Sequence, residues 1–138
     1  MKTLTSRNLA VLAGKLALEK QAQDVKILDL RKISNISDFF VVCSAKVDVH
    51  LKAIADNIVE NLEQKGVRIW HNEGYLQGRW IILDYVDVVV HIFLEEARKF
   101  YDLEGLWGDA QMQEVSDNGK VKKTSKKTGL KARKRKLM

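Results

Sequence analysis

"GRWIILDYVDVVVHIF", residues Gly78 to Phe93, decides how the rest of this chain is read. "WIILD" and "VVVHIF" are apolar runs of strand length, joined tightly around Tyr85 and Val86. So short a joint makes them antiparallel neighbours in a hairpin. Asp84, Asp87 and His91 interrupt the apolar pattern. Two carboxylates hold Mg²⁺ for phosphoryl transfer only if both point into one cavity. On one strand that needs a spacing of two, because side chains alternate faces, and these aspartates are three apart. They read as residues that flank the turn and bind its backbone amides. His91 has no ligand partner at a known spacing, since His50 and His71 are distant, and reads as a structural strand histidine.

Outward from the hairpin, helices and strands mix. Thr5 is a plausible N-cap, with Leu9, Leu12 and Leu16 at helical spacing behind it, so a first helix should run to about Ala22. "VKILDL", Val25 to Leu30, alternates as a strand. "FFVVCS", Phe39 to Ser44, is continuously apolar, as a central strand covered on both faces would be. Asp48 should cap a second helix with the buried stripe Leu51, Ile54, Ala55, Ile58 and Leu62, stopped by Gly66. "VRIW", Val67 to Trp70, reads as a short strand, and a last helix should span about Glu95 to Leu103. The order αββαβββα with local hairpins predicts an α/β sandwich on a mixed sheet.

With 138 residues, the chain suits one compact domain. We expect it over 1–110, followed by a basic, disordered tail over 111–138. No apolar run approaches the roughly 20 residues of a membrane span. The N-terminal segment reads as an amphipathic helix rather than an export signal, which makes the cytoplasm the expected compartment. The single cysteine, Cys43, excludes an internal disulfide and reads as a buried, inert thiol. Walker A, "GxGxxG" and "HExxH" patterns are absent, and no cofactor, metal or catalytic residue is expected.

Charge is divided along the chain. The net charge of +6 hides ten Lys or Arg and no acid in residues 119–138. The remaining 14 bases and 18 acids make the body mildly acidic. Between Trp80 and Asp109, seven carboxylates face only Arg98 and Lys99, interleaved with Trp80, Tyr85, Phe93, Phe100, Tyr101 and Trp107. Acids beside Trp and Tyr suit a basic protein partner and would repel a phosphate backbone. The tail is the reverse: Lys122, Lys123, Lys126, Lys127, Arg133 and Arg135 suit contact with RNA phosphates. No hydrophobic anchor accompanies that charge, so a membrane is not the expected partner.

"ILDLRKISNISDFFVVCSA", "HLKAIADNIVENL" and "EGYLQGRWIILDYVDVVVHIFLEEARKFYDLEGLW" together resemble the ribosomal silencing factor family, RsfS or Iojap. The specific part runs from Trp80 to Trp107. The resemblance implies a nucleotidyltransferase-like α/β fold without established enzymatic activity. It implies binding to the large ribosomal subunit through ribosomal protein L-fourteen, blocked joining with the small subunit, and translation repressed when nutrients are short. It also implies pairing as a homodimer, and related organelle members serve in ribosome assembly. The chain departs from the family's usual pattern at Ala45, Val47, Val49, Val86 and Gly105; Val86 stands where glycine is usual. The expected partner-binding residues are Trp80, Leu83, Asp84, Tyr85, Asp87, Glu95, Glu96 and Tyr101. Two alternatives are an assembly factor led by the RNA-binding tail, and a metal-dependent nucleotidyltransferase-like enzyme using Asp38, Asp84 and Asp87.

Overall fold

A computed structural model describes residues 4–116 and 119–124. The elements follow in the order α1 (Ser6–Glu19), β1 (Gln23–Asp29), β2 (Phe39–Ala45), α2 (Asp48–Gln64), β3 (His71–Glu73), β4 (Trp80–Asp84) and β5 (Val88–Leu94). They continue with α3 (Glu95–Tyr101), α4 (Leu103–Leu106), β6 (Gln111–Val115) and β7 (Val121–Lys123). All seven strands form one sheet in the order β3-β4-β5-β2-β1-β6-β7. β2 and β5 pair in parallel, with Val41 opposite Val90, and every other neighbour is antiparallel. The expected mixed sheet is therefore present.

The larger core lies between one face of this sheet and the helices α1 and α2. The predicted α2 stripe of Leu51, Ile54, Ala55, Ile58 and Leu62 is its set of buried residues. Thr5 caps α1 as expected, its Oγ1 accepting from Asn8 N at 3.1 Å. Phe39, Val41, Val42 and Cys43 on β2 are fully buried, some against each face of the sheet. Burial pushes the Cys43 thiol up to about 12, which leaves it protonated and inert. On the opposite face α3 and α4 cover only one end, over Leu28, Val42 and Phe93.

Several expectations need correction. α1 stops at Glu19 because Gln21 turns left-handed, with φ +62°, and Ala22 N bonds back to Ala17 O. Residues of that conformation are usually glycine or asparagine, so the stop carried no signal. The N-cap of α2 is Val47; Asp48 is the first helical residue, its Oδ1 accepting from Val49 N. The third strand is His71–Glu73, not Val67 to Trp70. Val67 and Ile69 do pack on the core, but β4 ends at Asp84, whose carbonyl accepts from Trp70 N. Residues before Trp70 have no strand left to pair with. The last helix breaks at Asp102, whose φ of +47° ends α3 and begins α4, with its carboxylate accepting from Gly105 N.

The sheet also runs past residue 110. β6 pairs with β1, Met112 opposite Leu28, and β7 pairs with β6, Lys122 opposite Glu114. Val115 packs against α1 at Gly14, where an added Cβ would stand 3.2 Å from its Cγ2. Lys122 and Lys123, expected in the tail, are thus strand residues with exposed side chains. Lys126, Lys127, Arg133 and Arg135 lie outside the described residues.

Candidate docking surface

The β4–β5 hairpin is held by its own polar groups. Tyr85 N donates to Val88 O at 2.8 Å and Asp87 N to Tyr85 O at 2.9 Å. Val86 at the tip has φ +72°, a conformation that a β-branched residue tolerates poorly. Asp84 Oδ1 accepts from Val86 N at 2.8 Å, the turn role expected of it. Asp87 acts through its carbonyl, which accepts from Asp38 N and Phe39 N, while its side chain is exposed. Asp38 accepts from Ser6 Oγ at 2.8 Å. Among the described residues no group of three His, Cys, Asp or Glu is placed to hold a metal ion.

Strand alternation divides the expected binding residues between the two faces. Leu83 and Tyr85 point to the α1–α2 side and are buried at 1% and 8% exposure, so they belong to the core. Trp80 and Asp84 point to the other face and are half-buried. Glu95 and Glu96 are exposed in the first turn of α3, where their charges also favour the helix N-terminus. Tyr101 is exposed at the end of α3.

On that second face an aromatic belt crosses the sheet. Trp107 meets Phe40 edge-on at 5.7 Å, and Phe40 meets His91 edge-on at 4.5 Å. Trp80 Nε1 donates to His91 Nδ1 at 3.1 Å, and Trp80 stacks on Phe93 at 4.8 Å. Tyr101 lies 4.7 Å from Trp80 and Phe100 lies 5.0 Å from Tyr101. Burial alone pushes His91 down to about 3, so its ring is neutral. Where the helices leave the sheet open, a groove of about 340 Å³ is walled by Ile36, Phe40, Trp70, Val86, Val89 and Trp107, with His91 and Asp84 also lining it. Ile36 is 87% exposed and Trp70 70%, bare apolar surface at the groove that is unusual unless something binds there.

Arg98 fixes the covered end. It is buried, with Nε and Nη2 on the two oxygens of Glu104 at 2.9 and 3.2 Å and Nη1 on Ser44 Oγ at 3.1 Å. Burial by itself would raise the Glu104 carboxyl. The hydrogen bonds and charge of Arg98, with Lys26, outweigh it and hold the group below its ordinary value. Phe40 and Trp70 were not singled out from the sequence, Trp107 was read only as one of the interleaved aromatics, and Arg98 only as one of two bases among the acids. Trp107 and Phe40 are 67 positions apart, and no local pattern joins them.

The geometry defines an α/β protein whose mixed sheet is helix-covered on one face and aromatic and half-open on the other. The chain belongs to the ribosomal silencing factor family: the model described as "Ribosomal silencing factor during starvation" matches residues 3–137. It is 38% identical over 112 residues to ribosomal silencing factor RsfS of Halalkalibacterium halodurans, covering 81% of this chain and 96% of that one. It is 33% identical over 112 residues to RsfS of Bacillus subtilis, covering 81% and 95%. A crystal structure of a Chromobacterium violaceum protein superposes with a TM-score of 0.74 at 30% identity, over 76% of this chain and 88% of that one. The resemblance read from the hairpin and its flanks is thereby borne out. Among the described residues no helix is long and apolar enough to cross a membrane.

Proposed function

We propose that this chain is a binding protein that docks on the large ribosomal subunit through ribosomal protein L-fourteen, blocks joining with the small subunit and so represses translation when nutrients are short. The observation that carries the reading is the half-open aromatic face with carboxylates beside it, on a chain of the silencing-factor family. Trp80, Tyr101, Phe100 and Trp107 supply apolar contact that can be desolvated on docking. Asp84, Asp87, Glu95 and Glu96 orient a basic partner by charge, which acts mainly on encounter rate and register. Leu83 and Tyr85 serve from beneath, by holding the hairpin on the core. The basic C-terminal residues add contacts to ribosomal RNA.

Sedimentation with purified large subunits tests the reading. The protein should pellet with them and lower the yield of joined ribosomes. Absence of both effects overturns it. Charge reversal of Glu95 and Glu96 to Lys should weaken binding several-fold, most clearly at low salt; equal affinity would remove both from the interface.

A further inference from the structure

His91 carries a donor that the fold leaves without an acceptor. An indole N–H can only donate, so the bond from Trp80 Nε1 requires the lone pair on His91 Nδ1. The proton of the neutral ring is therefore on Nε2. That atom is buried and has no hydrogen-bond partner, and the whole residue is only 6% exposed. A buried polar group without a partner is uncommon in native proteins and marks strain, catalysis or a missing ligand atom.

The place of the ring singles out the last of these. His91 lines the groove, whereas Trp80, which occupies its Nδ1, does not. Phe40 and Trp80 flank the ring at 4.5 and 5.9 Å and fix its plane in advance. Nε2 is closed to water, so an acceptor reaches it only as the walls give. Ile36 and Trp70 are the walls most exposed and least held by packing. The charge at the site selects the acceptor. The ring is neutral and Asp84 also lines the groove, which disfavours a carboxylate or phosphate and favours an uncharged oxygen with Lys or Arg beside it.

We propose that the groove takes an apolar, Lys- or Arg-flanked segment of the ribosomal protein partner, and that one main-chain carbonyl of that segment accepts a hydrogen bond from His91 Nε2–H. The inference rests on the docking reading above. It makes His91 the residue that fixes the register of the docked main chain, and the groove the seat of one apolar side chain.

Co-sedimentation of the full chain with purified large ribosomal subunits tests it through two pairs of variants. Ile36→Gln and Trp70→Ser alter exposed walls and should each lower affinity about tenfold with unchanged thermal melting. His91→Phe keeps a flat ring without a donor and should lose a similar factor, whereas His91→Gln keeps an N–H and should retain most of the affinity. If wild-type chain does not pellet, the docking reading is overturned and this inference with it. If wild type pellets and the two wall variants bind equally well, the groove stays empty in the complex and this inference alone is overturned. If only His91→Phe binds like wild type, the carbonyl contact is wrong. Should the His91 variants fail to fold, the wall variants still decide.

Discussion

Val86 is the residue whose backbone conflicts most with its side chain. Its φ of +72° would suit glycine, and its side chain is 53% exposed, so little packing would be lost on removing it. Val86→Gly should raise unfolding free energy by about 1 kcal/mol, the relieved strain exceeding the added unfolded-state entropy. Urea denaturation measures this, and a fall in stability would mean the turn is not strained. His91 should govern the response to mild acid. Its folded value of about 3 lies below the ordinary 6.5, so the unfolded chain takes up a proton that the folded chain refuses. The stability due to a neutral His91 is complete above pH 6.5 and lost as pH falls, by up to about 1.4 kcal/mol per unit. His91→Gln should flatten the melting profile between pH 4 and 6.5. The turn role of Asp84 and the structural role of His91 were legible from spacing and isolation. The bond to Trp80 was not, because it depends on which face the hairpin register gives each residue.

At the scale of elements, Arg98 holds α3 and α4 to the sheet. Arg98→Met leaves the half-buried Glu104 carboxylate with only Lys26 near it, and should cost about 3 kcal/mol in chemical denaturation. Adding Glu104→Gln should recover much of that loss; an equal or larger deficit in the double variant would refute the pairing argument. The lowered carboxyl of Glu104 has the same sign as His91. Its contribution is full above the ordinary value of 4.5 and fades as pH falls through the lowered one. α2 and β2 were legible because their apolar patterns are long and regular. β6 was not, since "QMQEV" has only Met112 and Val115 as apolar members and borrows its place from β1. "VRIW" was misread for a complementary reason: its alternation is real, but pairing is set by where β4 stops.

At the scale of the molecule, the acidic body and basic C-terminal residues make separate demands. β7 belongs to the sheet, so a cut meant to remove only the basic segment belongs after Thr124 rather than at Asn118. Such a truncation should leave large-subunit binding measurable but weaker, with a shallower dependence on salt. An unchanged affinity and salt slope would show that the segment makes no contact; total loss would favour the assembly-factor reading led by RNA.

The parallel pairing of β2 with β5 has a consequence for when this chain takes shape. Phe39 finds Val88 only after α2, β3 and β4 have been spun out between them. β2 can pair with β1 as soon as both are made, but its other edge has no partner until β5 has been synthesised. A growing chain short of that point presents "FFVVCSA" as an apolar strand with one open edge, which exposes it to aggregation and to chaperones. The half-made protein is thus most vulnerable in the segment that later lies deepest.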